Sequence, residues 1–472
     1  MPPKFGTSGL RGLVTELTPT LITDYTRAFL AACPHGGAVH VGWDLRPSSP
    51  AIAQLVIAAV QAAGLRTIQV GAVPTPALAL GSMGSGHGAI MITGSHIPAD
   101  RNGLKFYVPG GEVSKEDEAA INARLGGTWE AVASPIPVEI IYNTAQTYID
   151  RYVTGFGPAA LQGLTIGIYE HSSVARDILG QAVAALGGTP VSLARSDIFI
   201  PVDTEAVDPD TRSKLATWCA ENKLDALIST DGDADRPMMA DATGQIVPGD
   251  VLGALTAAML GARVICTPVS SNSMIADMPM FGTIERTRIG SPFVIAAMEA
   301  VLAASPAATV VGYEGNGGFL LGFEAQGPAG PIAPLATRDC LLPLLAPLAD
   351  AKARGISLAK LVATLPPVFT AADRVAEVPS KKSGAFIADL ISNPVARAAF
   401  FDTMGPEAEL DLTDGLRIRF ASGAVVHLRP SGNAPECRCY AEAATATEAA
   451  DLVTAHLVKL KAQLSSVANF SS

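Results

Sequence analysis

The sequence predicts an α/β protein: three similar α/β domains with mixed, mostly parallel sheets, followed by a smaller C-terminal α+β domain. Two observations carry this. Strand and helix patterns alternate through three successive cycles, and each cycle has a polar loop directly after a strand. Beyond Pro366-Pro367 the pattern changes to a hairpin, a polar loop, a strand and one long helix. A chain of 472 residues is also too long for one ordinary core. The expected domains are 1–146, 147–247, 248–366 and 367–472.

In the first cycle, Ala38–Asp44 reads as a strand. Ser49 is the expected N-cap of a helix over Ala51–Ala63, with Pro50 at its first position and Gly64 at its end. Thr67–Val73 is the next strand, a helix starts at Pro76–Leu80, and Ala89–Thr93 is a third strand ending just before Ser95. The second cycle reads Leu164–Tyr169 (strand), Val174–Leu186 (helix), Pro190–Leu193 (strand), Asp210–Glu221 (helix) and Ala226–Ser229 (strand). The third reads Val264–Thr267 (strand), Asn272–Asp277 (short helix), Glu285–Arg288 (strand), Phe293–Ala304 (helix) and Thr309–Gly312 (strand). In the tail, Leu416–Phe420 and Val425–Leu428 form a hairpin around Ser422-Gly423. Glu436–Ala441 is a strand, and a helix covers Glu448–Leu464 with Thr447 as its N-cap. The opening Phe5–Gly12 is too glycine-rich for a strand or helix interior and reads as a loop.

Nearly half the residues are apolar and 16% are charged, so a large core is available and global disorder is excluded. The net charge of −11 gives no basic field for nucleic acid or an anionic membrane, so an anionic substrate needs a local positive cluster. The first four cysteines, Cys33, Cys219, Cys266 and Cys340, show no metal-ligand spacing. Cys437 and Cys439 read as two small core residues on one face of a strand. A reducing, cytoplasmic setting fits. The N-terminal stretch has no apolar signal-peptide core and no run is long enough to span a bilayer, so a soluble protein is expected.

Four stretches carry chemistry. Thr93-Gly94-Ser95-His96 breaks from an apolar run, where α/β proteins place their sites. Ser95 is a weak nucleophile unless helped, and His96 and Lys105 are near in sequence. Asp231-x-Asp233-x-Asp235 crowds three carboxylates, which is costly without a cation, and oxygen ligands favour a hard ion such as Mg²⁺. An EF-hand would need Gly where Arg236 stands and a glutamate where Ala242 stands, so that motif is excluded. Glu314, among glycines, can accept hydrogen bonds from sugar hydroxyls; on these residues alone a glycine turn with a surface glutamate is the better reading. Arg429, Ser431, Gly432, Asn433 and Arg438 have the make-up of a phosphate clamp; a polar loop with solvated arginines is the competing reading. Arg11 adds a positive charge in the glycine-rich opening.

Taken together, Phe5–Gly12, Thr93–Pro98, Asp231–Arg236, Tyr313–Gly318 and Arg429–Arg438 resemble the α-D-phosphohexomutase superfamily, with the best likeness to its bacterial phosphomannomutase/phosphoglucomutase branch. The resemblance implies four domains around one central cleft. It implies a phosphoserine at Ser95 and an Mg²⁺ site formed by Asp231, Asp233 and Asp235 with phosphorylated Ser95. His96 and Lys105 match proton-transfer positions. Arg11 matches a residue near the transferring phosphoryl group, and Arg236 one beside the metal loop. Glu314, with Asn316 in its loop, matches the sugar-reading position. Arg429, Ser431, Gly432, Asn433 and Arg438 match the phosphate-binding loop. The implied reaction interconverts hexose 1-phosphate and hexose 6-phosphate, mannose first and glucose also, through a hexose 1,6-bisphosphate intermediate that also serves as activator. A sugar phosphate is the expected small-molecule partner, and the chain a monomer or homodimer.

The sequence departs from the family pattern in its sugar loop. The usual Gly-Glu-x-Ser-Gly-His is Tyr313-Glu314-Gly315-Asn316-Gly317-Gly318, without the serine and the histidine. Ser-His-Asn-Pro is Ser95-His96-Ile97-Pro98, a further histidine is replaced at Ser291 or Pro292, and the Thr-Glu of the tail loop is Asn433-Ala434. The alternatives are a phosphoglucosamine mutase, an aspartyl phosphatase using Asp231 as nucleophile, and a non-catalytic sugar-phosphate binder. The last two leave intact residues without roles.

Overall fold

The computed structural model describes residues 3–6, 9–431 and 435–466. The chain forms two compact units, one of Met1–Cys266 with Gly290–Val362, the other of Thr267–Ile289 with Ala363–Ser472.

In the first unit the same strand arrangement recurs three times. Ala38–Trp43 lies parallel to Gly88–Ile92, which turns back antiparallel into Arg101–Val108. Thr165–His171 lies parallel to Ala226–Thr230, which turns back into Pro237–Asp241. Val264–Pro268 lies parallel to Val310–Tyr313, which turns back into Phe319–Leu321. Gly88–Ile92, Ala226–Thr230 and Val310–Tyr313 are buried throughout, as strands covered on both faces must be. The loops at the ends of these three buried strands are the serine loop, the aspartate loop and the Glu314 loop. The repeat read from the sequence is therefore present, and it sets its three polar loops at one equivalent point.

Several local expectations are corrected. The glycine-rich opening is a strand pair, not a loop: Lys4–Gly6 runs antiparallel to Gly9–Leu13, which continues onto Arg101–Val108. Thr7 and Ser8 lie outside the described residues. Gly9 has φ +114, and a Cβ there would stand 2.3 Å from the Leu104 carbonyl oxygen. Its glycine thus serves close strand packing rather than loop flexibility. Lys105 sits within the strand Arg101–Val108, opposite Met91. Ser49 is not the N-cap. The helix is Ser49–Ala62 after Ser48, and the Ser49 hydroxyl donates to Asp44 Oδ1 at 2.6 Å, a buried acceptor that outcompetes the capping role. Thr447 lies inside the helix Ala446–Ser466, and the Glu448 N–H donates to Thr445 Oγ1 instead. The aspartate loop, read from the alternate spacing as extended, is a tight turn with Ala234 at φ +58.

The second unit has an antiparallel sheet in the order Phe369–Ala376, Glu436–Ala443, Val425–Pro430, Leu416–Phe420, Glu407–Asp411. The helices Ser380–Ser392 and Ala446–Ser466 supply Ile387, Leu390, Val453, Leu457 and Leu460 to its core. Cys437 and Cys439 are fully buried in that core, and burial pushes both thiols up to about 12. The segment Thr267–Ile289 is tied in by Asn272 Nδ2 donating to the Val368 carbonyl (2.9 Å) and Ser273 Oγ donating to Glu442 (2.5 Å). Among the described residues no helix is long and apolar enough to cross a membrane.

Two predictions follow from this packing. Gly9→Ala forces a side chain onto a carbonyl at a left-handed φ, so it should lower stability by at least ~1–3 kcal/mol, read as a lower thermal midpoint. His427 is buried with Nε2 on the Asp414 carbonyl at 2.6 Å, and burial lowers its pKa to about 4. From its ordinary value near 6.5 down to about 4, the unfolded chain takes up a proton that the folded chain refuses. Stability contributed by neutral His427 is thus present above 6.5 and is lost as pH falls through that window. Denaturant titrations from pH 7 to pH 4 should show the stability gap between wild type and His427→Phe shrinking by up to ~3 kcal/mol.

Candidate active site

Thr93, Gly94 and Ser95 leave the buried strand Gly88–Ile92, and Ser95 is itself fully buried with φ +55. The loop's shape is imposed by Arg46. Its guanidinium donates to the carbonyls of Ser95 (2.8 Å), Ile97 (2.5 Å), Pro98 (2.6 Å) and Arg101 (3.0 Å). Asp44 holds Arg46 at 3.1 Å and also accepts from Ser49 and Thr93. The Arg46 guanidinium lies over the Phe199 ring at 4.1 Å. Four guanidinium hydrogen bonds to its carbonyls thus fix the loop around one left-handed serine, a conformation that L-residues otherwise avoid.

Ser95 Oγ donates to Asp231 Oδ2 at 2.5 Å and lies 3.3 Å from His96 Nδ1. Asp231, Asp233 and Asp235 are all buried and offer oxygens within 4.8 Å of one another. Asp233 Oδ2 accepts from Thr75 Oγ1 (2.6 Å) and Lys105 Nζ (2.6 Å); Lys105 also reaches Asp235 Oδ2 at 2.5 Å. Arg338 Nη2 meets the same Asp235 oxygen at 2.8 Å, and Arg236 Nε lies 3.8 Å from its other oxygen. Asp233 Oδ1 and Asp235 Oδ1 are buried with no hydrogen-bond partner. Two carboxylate oxygens without a hydrogen bond, beside a third carboxylate, are a set that fits a hard divalent cation.

The charges follow from this crowding. Burial, then Asp233 and Asp235, raise the Asp231 carboxyl well above its usual range. Burial acts the same way on Asp235, but Arg338, Lys105 and Arg236 outweigh it and hold its carboxyl below the ordinary value. Burial, with Arg236 and Arg11 adjacent, pushes the His96 imidazole far below its usual value, so it is neutral at pH 7. Burial, then Arg236, lowers Arg11 to about 10, which leaves it charged at pH 7.

Glu314 is buried at the end of Val310–Tyr313, with Arg338 Nη1 3.6 Å from its Oε2. Asn316 turns its side chain inward, accepting from the Gly318 N–H at 3.0 Å. The first unit therefore brings together Arg11, Ser95, His96, Lys105, the three aspartates, Arg236 and Glu314. In the second unit Arg429 and Arg438 are direct cross-strand partners. Arg429 Nε lies 3.4 Å from Asp414, Arg438 Nε 2.8 Å from Glu436, and the Ser431 N–H donates to the Glu436 carbonyl. Gly432 and Asn433 lie outside the described residues.

Sequence reasoning missed Arg46, Thr75, Glu112 and Arg338. Asp44-x-Arg46 directly after a strand was a readable signal. Arg338 had no local signal, because its partners lie on three distant segments.

Fold and site together define an α/β phosphotransferase. Models of the phosphoglucomutase/phosphomannomutase family match residues 2–129 (α/β/α domain I), 248–369 (α/β/α domain III) and 373–457 (C-terminal domain). A phosphomannomutase of Sinorhizobium fredii is 42% identical, covering 98% of this chain and 100% of its own. One from Salmonella muenchen is 43% identical, covering 98% and 96%. The crystal structure of a Burkholderia thailandensis phosphoglucomutase/phosphomannomutase family protein superposes with TM-score 0.76 at 21% identity, over 97% of each chain. The chain belongs to the phosphoglucomutase/phosphomannomutase family of α-D-phosphohexomutases.

Arg46→Met would strand Asp44 and release four carbonyls. It should cost about 3–5 kcal/mol in chemical denaturation, as breaking a buried ion pair does.

Proposed function

We propose that this protein interconverts hexose 1-phosphate and hexose 6-phosphate, with mannose phosphates the first substrate and glucose phosphates also turned over. The observation that carries the reading is Ser95 Oγ set 2.5 Å from a triad of buried carboxylates that keeps two oxygens without a hydrogen bond. Ser95 would carry the phosphoryl group. In the first half-reaction the bond from phosphorus to Ser95 Oγ breaks and a bond to the free sugar hydroxyl oxygen forms. The proton of the sugar hydroxyl ends on Ser95 Oγ, which departs as the neutral serine hydroxyl, and the product is the hexose 1,6-bisphosphate. In the second half-reaction the other phosphate returns to Ser95.

Asp231, Asp233 and Asp235 would hold Mg²⁺, which when bound supplies charge neutralisation for the transferring phosphoryl group. Neutral His96, its Nδ1 3.3 Å from Ser95 Oγ, would hold a hydrogen bond at that oxygen, in surroundings that disfavour its own protonation. Lys105, bound to two carboxylates, acts as a countercharge, and Arg11 and Arg236 add positive charge nearby. Positioning and electrostatics of this kind are what phosphoryl transfer needs. Glu314 would accept hydrogen bonds from sugar hydroxyls. Arg429, Ser431 and Arg438, with Gly432 and Asn433, would bind a phosphate group, since paired guanidinium groups suit a dianion. The setting is a cytoplasmic one, in which the six buried free thiols stay reduced.

Phosphorus NMR with Mg²⁺, a hexose 1,6-bisphosphate and mannose 1-phosphate, with glucose and glucosamine 1-phosphates in parallel, tests this. Conversion to the 6-phosphate is expected, abolished by chelation and reduced at least a thousandfold in Ser95→Ala. Release of inorganic phosphate as the main product would replace the mutase with a phosphatase.

A further inference from the structure

Arg338 is 2% exposed and stands on the strand Leu335–Asp339. Its guanidinium faces three carboxylates from three segments: Asp235 Oδ2 at 2.8 Å, Glu314 Oε2 at 3.6 Å and Glu112 Oε1 at 3.7 Å. Glu112 is braced in turn by Thr337 Oγ1 (3.0 Å) and Ser291 Oγ (3.2 Å). One cation therefore spans the aspartate loop, the Glu314 loop and the edge of the first sheet.

Gly318 explains how the arginine gets there. A Cβ on Gly318 would lie 2.8 Å from Arg338 Cδ, 2.9 Å from Cγ and 3.2 Å from Cβ. The aliphatic stem of Arg338 thus passes through the space that any side chain at 318 would enter. This is the position where the family pattern has its histidine. Here glycine leaves that space to the stem of Arg338, which carries a planar, permanently charged group.

We propose that Arg338 is a positioning residue for sugar-phosphate binding: it aims the Glu314 carboxylate while anchoring it to the aspartate loop through Asp235. The inference rests on Glu314 contacting the sugar. Lysine at this place would keep the charge but not the planar fork that reaches two carboxylates at once.

The test is a cycle of Arg338→Met, Glu314→Gln and the double variant, each read in two ways. Steady-state kinetics separate KM from kcat, and calorimetry in a Ser95→Ala background measures mannose 1-phosphate affinity without turnover. Arg338→Met should weaken binding and raise KM about tenfold. The double variant should be no worse than the weaker-binding single variant, because arginine acts through the glutamate. Arg338→Lys should recover part of the loss. Gly318→Ala, which displaces the stem while keeping the guanidinium, should reproduce the KM rise and serves if Arg338→Met fails to fold. Unchanged binding in both Arg338→Met and Gly318→Ala, or losses that multiply in the double variant, would overturn the proposal. A wild-type protein without mutase turnover would instead overturn the functional reading on which it stands.

Discussion

Everything in the first unit answers to the mutual repulsion of Asp231, Asp233 and Asp235. Two charges 4 Å apart cost about 4 kcal/mol even at an effective dielectric constant near 20, and burial adds to that. The fold offsets this cost with cations brought from elsewhere: Lys105 from the first sheet, Arg236 from the loop itself and Arg338 from the third sheet. The offset is uneven. Asp235 takes three of these contacts and is held ionised, whereas Asp231 has Ser95 as its short partner and is driven toward its protonated form. The triad is thus polarised, with its least committed carboxylate next to the serine.

Precision at the serine comes from a second buried charge system. Asp44 and Arg46 do not touch the carboxylate triad, yet Arg46 closes the loop that Ser95 begins by taking up its carbonyls. Burial and four carbonyl acceptors make that arginine immobile. The strained backbone at Ser95 is therefore sustained by side chains outside the loop, and a short Thr-Gly-Ser-His sequence can hold one geometry.

The repeat, the serine loop and the aspartate loop were legible in the sequence because each is written locally, as an apolar run that breaks into a polar turn. The tail hairpin was legible for the same reason. Phe5–Gly12 was misread because glycine has two uses, and only the partner strand at Leu104 shows that Gly9 serves close approach. Ser49 was misread as a cap because its competing acceptor, Asp44, becomes available only once the turn between them has formed. Lys105 was recognised by type, but its place opposite Met91 inside the strand Arg101–Val108 shows only once the strands pair. Arg338 was illegible in principle: the meaning of an arginine after Ala336-Thr337 depends on carboxylates contributed by all three repeats.

The second unit is assembled from two pieces of chain, Thr267–Ile289 and Ala363–Ser472, separated by a stretch that belongs to the first unit. During synthesis the early piece leaves the ribosome long before Glu442, the acceptor for Ser273, has been translated. The C-terminal unit is complete only once its last piece has been made, and it cannot be cut out as one continuous fragment without leaving part of itself behind.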